Sequence, residues 1–161
     1  MQTIQGTGRA TGLRVAVVVS KYNDFVTDRL QAAALAALAA AGVASSDITV
    51  VRVPGAFEIP LAAQRAAASN RYDAIICLGC LIRGETAHFE YISSAVSHGL
   101  TAAAAATGVP MSFGVLTTNS VEEALARAGD GSGNKGHEAA VAAIQMAEIV
   151  AQLPRQATPE T

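Results

Sequence analysis

Four short, mostly apolar runs constrain this chain more than any other feature. They are Arg14-Val15-Ala16-Val17-Val18-Val19, Ile48 to Val53, Ala74-Ile75-Ile76-Cys77-Leu78-Gly79 and Met111 to Leu116. Rich in β-branched residues and poor in polar alternation, each reads as a strand buried on both faces. Helical patterns separate them, and strands alternating with helices predict a mostly parallel sheet covered on both sides. Right-handed crossovers then give an α/β fold of three layers, α/β/α, doubly wound and flavodoxin-like. With 161 residues the chain is expected to form one domain with a full core. In such sheets ligands bind outside the carboxyl ends of the strands, so those ends hold the candidate site.

The helical segments carry their own punctuation. After the first strand, Leu30, Leu35 and Leu38 point inward from a helix that Gly42 stops. Ala56-Phe57-Glu58-Ile59-Pro60 begins the second helix, with proline tolerated in its first turn. A third helix begins near Thr86, turns Ile92, Val96, Gly99 and Ala103 to one face and stops at Gly108. Ser120-Val121-Glu122-Glu123 reads as a capping box opening a short helix that ends at Gly129. Residues 131–136, Gly-Ser-Gly-Asn-Lys-Gly, read as a flexible hinge before a last helix carrying Val141, Ile144 and Ile149 and closed by Pro154. Residues 1–12 are expected to be a flexible arm or an added edge strand, and residues 155–161 a disordered tail.

Composition narrows the function. Apolar residues make up 51% of the chain and charged residues 15%, with a net charge of -2. That balance offers no footprint for nucleic acid or an anionic membrane. No apolar run approaches the ~20 residues that span a bilayer. The N-terminus lacks the basic and apolar regions of a signal peptide, so a cytoplasmic protein is expected. Cys77-Leu78-Gly79-Cys80 resembles a redox or metal motif, yet it falls at the end of a strand, whereas a redox pair opens a helix. Along a strand the two Cα atoms stand roughly 10 Å apart, beyond disulfide reach. With no further cysteine and three scattered histidines, buried thiols and no metal are expected.

Three strand ends carry unusual chemistry. The first offers Tyr22 and Asn23, the second Gly55, Phe57 and Glu58, and the third Thr86 and His88. Thr86 reads as the N-cap of the third helix, whose free N–H groups and dipole favour an anion. His88 lies just inside, where it suits a neutral proton-transfer group; the plain alternative is a half-buried histidine in a capped helix. Tyr22 and Phe57 suit a flat heterocycle, or else only cover the sheet. Glu58 can accept from hydroxyls or ring N–H groups, or offset a helix dipole. Arg127 and Lys135 flank the glycine-rich hinge; they suit a phosphate, or are solvated surface charges. The fourth strand end, Thr117-Thr118-Asn119, reads as ordinary loop.

Taken together, these stretches resemble the lumazine synthase family from about Arg14 to Leu153. The likeness rests on Tyr22-Asn23, Gly55 to Pro60, Gly84 to Phe89, Phe113 to Thr118, Arg127-Ala128-Gly129 and Asn134-Lys135-Gly136, in that order. The resemblance implies condensation of 5-amino-6-ribitylaminouracil, a ribitylaminopyrimidine, with 3,4-dihydroxy-2-butanone 4-phosphate, releasing phosphate and water in riboflavin biosynthesis. It implies that Tyr22 stacks on the pyrimidine, that Asn23, Leu81 and Ile82 line the ring, and that Ala56, Phe57 and Glu58 hold the ribityl chain. Glu85 and Thr86 N–H groups with Arg127 take the phosphate, and His88 moves protons. Phe113, Arg127 and Lys135 are implied to come from a neighbouring subunit. No metal or redox cofactor is implied. The family forms pentamers, and the short segment from Ala128 to Asn134 suggests an icosahedral shell of pentamers. The rival readings are a flavin or lumazine carrier without turnover and a shell protein with a vestigial site. Neither has a need for the Thr86, His88 and Arg127 set.

Overall fold

The computed structural model describes residues 1–154. The tail expected at 155–161 lies outside them. The described residues form a parallel sheet of β1 (Val15–Ser20), β2 (Ile48–Val53), β3 (Ala74–Ile82) and β4 (Met111–Thr118), in the order β2-β1-β3-β4. Val15 pairs with both Ile48 and Ala74, and Ile75 pairs with Met111, so the strands run in register from one end. The helices are α1 (Asp24–Ala40), α2 (Ile59–Ala68), α3 (His88–Thr107), α4 (Val121–Arg127) and α5 (Lys135–Gln152). This is the three-layer α/β/α arrangement anticipated from the apolar runs.

Alternation along the strands divides the interior in two. Val15, Val17, Val19, Ile76, Leu78 and Cys80 face a core shared with α1 and α5. Ala16, Val18, Ile75, Cys77 and Val115 face another, shared with α2 and α3. Each buried Val, Leu or Ile contributes roughly 1.5–3 kcal/mol by leaving water. Gly99 of α3 lies against Pro60 of α2, where an added Cβ would stand 2.8 Å from the ring. Glycine there lets the two helices approach.

Several expectations need correction. β3 extends to Ile82 and β4 to Thr118, because Leu81 pairs with Thr117 and Ile82 with Thr118. Thr117 and Thr118 are therefore strand, not loop. Thr86 is not the N-cap of α3: Ala87 holds that position without a side-chain cap, and the Thr86 hydroxyl accepts only a long 3.4 Å bond from the His88 N–H. The Ser120 box does form, as the Ser120 hydroxyl accepts from the Glu123 N–H at 3.2 Å. The Glu123 carboxylate returns to the Asn119 N–H at 2.9 Å, one residue before the usual target.

The hinge at 131–136 ends sooner than expected. Asn134 is buried, accepts from the Gly136 N–H at 2.7 Å and donates to the Gly129 carbonyl at 2.9 Å. It caps α5, a role whose loss costs about 1 kcal/mol. Gly136 is already helical and lies on the Leu30 backbone, leaving no room for a Cβ.

The N-terminal arm is neither a strand nor loose where it crosses α5. The N–H groups of Thr7, Gly8 and Arg9 and the Thr7 hydroxyl all donate to the Glu148 carboxylate. The Thr7 hydroxyl first, then the backbone donors, hold that carboxyl below its ordinary value against a small opposing effect of burial. Just beyond, Ala10 is buried and its N–H reaches the Ala41 carbonyl.

Candidate active site

The carboxyl ends of β1, β2 and β3 open into a cleft of about 770 Å³. Parallel pairing continues past the end of β1: the Lys21 N–H reaches the Val53 carbonyl at 2.8 Å, and the Tyr22 N–H reaches the Pro54 carbonyl at 3.1 Å. These bonds seat Tyr22 beside the second strand end. Asn23 adopts the left-handed conformation, φ 60°, which asparagine tolerates better than most residues. Its amide donates to the Cys80 carbonyl at 2.9 Å and so ties the first loop to β3. Asn23 thus lines the cleft while its side-chain amide is committed to the fold.

After Pro54 the chain makes a short turn of 3₁₀ helix at Ala56–Glu58 before α2. Ala56 is buried, whereas Phe57 and Glu58 are exposed toward the opening. Tyr22 and Phe57 are 72% and 60% exposed, and both line the opening. Leu81 and Ile82, the last residues of β3, form part of the floor. Thr86 and His88 close the third side, with His88 as the first residue of α3. His88 is exposed, contrary to the reading that makes it a half-buried structural histidine. Glu85 lies in the same exposed loop and is not among the residues lining the cleft. Among the described residues, the Glu85 and Thr86 N–H groups have no acceptor.

Phe113, Arg127 and Lys135 are elsewhere. They line a second cleft of about 600 Å³ along β4, an edge of the sheet, with α5 on its far side. Arg127 is exposed and donates to the Glu123 carbonyl at 3.0 Å. Lys135 pairs with Glu138 at 2.7 Å, and Glu138 also lines this cleft. Within one chain, then, Arg127 and Lys135 are not brought together with His88.

Sequence reasoning missed Tyr91 at the first cleft and Glu138 at the second. Tyr91 is 76% exposed and stands three residues after His88, a spacing that puts both on one face of a helix. Glu138 stands in the same relation to Lys135.

Cys77 and Cys80 belong to different cores, on opposite faces of the sheet, so they form no pair for a disulfide or a metal. Burial pushes their thiols up to about 12 and about 11. Among the described residues no three His, Cys, Asp or Glu side chains stand close enough to hold a metal ion, and no helix is long and apolar enough to cross a membrane.

Comparison with known proteins agrees with this geometry. The family described as 6,7-dimethyl-8-ribityllumazine synthase matches residues 12–151. A protein of that name from Syntrophus aciditrophicus (strain SB) is 51% identical over 144 residues, covering 89% of this chain and 94% of its own length. Another of the same name, from Desulfotalea psychrophila (strain LSv54), is 50% identical over 147 residues, covering 91% and 95%.

Proposed function

Because the chain belongs to the 6,7-dimethyl-8-ribityllumazine synthase family, we propose that it condenses 5-amino-6-ribitylaminouracil with 3,4-dihydroxy-2-butanone 4-phosphate, releasing phosphate and water. The observation that carries this reading is the convergence of Tyr22, Phe57, Glu58, Thr86 and His88 on one cleft at the strand ends.

The pyrimidine stacks on Tyr22, with Asn23, Leu81 and Ile82 lining its edge. The ribityl hydroxyls run toward Ala56, Phe57 and Glu58, whose carboxylate accepts from them. The phosphate sits at the start of α3 on the Glu85 and Thr86 N–H groups, whose open donors and helix dipole suit an anion. That placement brings the ketone to the amine beside His88. His88 passes protons as the imine forms, as phosphate leaves and as the second amine closes the ring with loss of water. Neither a metal nor a redox cofactor has a step to perform in this sequence. A carrier without turnover would have no use for a proton-transfer group beside open phosphate donors.

Arg127, Phe113 and Lys135 complete the site from a second copy. Their position on the β4 cleft, away from the first cleft, supports a head-to-tail arrangement in which one copy's β4 edge meets the next copy's strand ends. Such contacts close into a ring, here a pentamer, and pentamers into an icosahedral shell. The compact stretch from Ala128 to Asn134, held by the buried Asn134, supports that closure. The two cores on one sheet support reading the chain as one domain, and its unpaired thiols support a cytoplasmic protein.

Purified protein mixed with both substrates is expected to form lumazine, read by absorbance, together with inorganic phosphate. A rate equal to that of the substrates alone would reject the proposal.

A further inference from the structure

We propose that Arg83 is a positioning residue, holding the Gly84 to Ala87 loop in the shape that receives the phosphate-bearing substrate. The inference rests on the reading of that loop given above.

Residues Arg83 to His88 are all exposed, and the loop has little to hold it. Among the described residues, its hydrogen bonds are the long contact from the His88 N–H to the Thr86 hydroxyl and one from the Tyr91 N–H to the Ala87 carbonyl at 3.3 Å, both at its helix end, so Gly84 and Glu85 have none. Arg83 supplies what the loop lacks. Its N–H donates to the Thr118 carbonyl at 2.8 Å, carrying the β3–β4 pairing one residue further. Its Nε donates to the Asn119 side-chain oxygen at 3.0 Å. Its Nη1 pairs with the Glu90 carboxylate on the first turn of α3. The guanidinium lies 4.5 Å from the centre of the Phe89 ring, and Phe89 lines the cleft.

The loop is thereby bracketed. One planar cation fixes where it leaves β3 and where it enters α3, and it also backs a ring of the cleft wall. Arg83 itself does not line the cleft, so it acts through the loop and not on the substrate. Only a guanidinium can serve these partners at once, since its donors are set in a fixed fork and its face stacks on aromatic rings. An exposed ion pair adds little to stability. Its value here is orientation, and a small displacement of a binding group can cost as much as about 100-fold.

The test compares Arg83→Gln, Arg83→Lys and Glu90→Gln with Arg71→Gln, a control just before the opposite end of β3. Arg83→Gln is expected to raise KM for the butanone phosphate by about 10- to 100-fold. KM for the pyrimidine should stay within about twofold, as for a separate contact set, and the thermal midpoint should barely move. Arg83→Lys should not restore the value, because an ammonium has no fork. Glu90→Gln should shift the same KM in the same direction, by less. A Glu90→Gln variant with a lower KM would overturn the inference, because Arg83 freed from Glu90 would then be touching phosphate directly. Equal changes in both KM values, or none in either, would overturn it too. Titration with inorganic phosphate separates the two readings. If the wild type makes no lumazine yet binds phosphate, and Arg83→Gln weakens that binding, the synthase reading falls and the positioning role stands. If the wild type turns over and Arg83→Gln keeps its KM, the positioning role falls alone.

Discussion

In the reaction proposed above, His88 and Arg127 are two participants written into the chain in very different ways. Imine formation between a reactive amine and a ketone needs modest help with protons, so a placed imidazole supplies the lower part of the usual ~10²–10⁴ range. In the proposed site Arg127 acts on geometry, since a gripped phosphate sets the angle at which ketone meets amine, and orientation can supply about 7–11 kcal/mol in favourable cases. Arg127→Ala is therefore expected to lose more kcat/KM than His88→Ala in steady-state kinetics. A His88 variant much less active than the Arg127 variant would reverse the two roles. The placement of His88 at a helix start was legible because its context is local, a glycine turn followed at once by the helix. Arg127 read equally well as a surface charge, and one chain leaves it looking like one, bound among the described residues only to a carbonyl of its own helix.

Elements with local signals were legible, and those defined by distant partners were not. β2 spans the same residues in sequence and structure because Pro54 ends it. β3 and β4 run past their apolar runs, since Leu81 and Ile82 extend their pairing onto two threonines that local pattern assigns to loop. The N-terminal arm is the extreme case, for Thr7 finds its partner 141 positions away. That attachment has a pH signature. A carboxyl held below its ordinary value favours the folded state fully above the unfolded value, and this contribution fades as pH falls through the folded one. Glu148→Gln should accordingly lower the melting temperature at pH 7. The gap to wild type should narrow as pH falls below the ordinary carboxyl value and close once the native carboxylate, which titrates lower, is protonated as well. A gap independent of pH would show that the arm is held by packing and not by charge.

At the scale of the whole molecule, the proposed reaction needs the two clefts of one chain to meet between copies. A Glu58/His88→Ala double variant and an Arg127→Ala variant should each be nearly inactive alone. Assembled together in equal amounts, about a quarter of the interfaces would combine intact strand ends with an intact Arg127, following head-to-tail geometry. Activity should return in mixed particles, verified by pulling down one tagged variant with the other. Verified mixed particles as inactive as their parents would mean the site is built within one chain. The same division of the molecule by its sheet leaves a further mark. Cys77 is sealed beneath α2 and α3, and Cys80 beneath the opposite layer and at the floor of the cleft. An alkylating reagent reaches the first only when the layer of α2 and α3 lifts, and the second when the opposite layer or the cleft floor opens. The chain thus carries two internal clocks, one for each half, that time whether its layers open together or in turn.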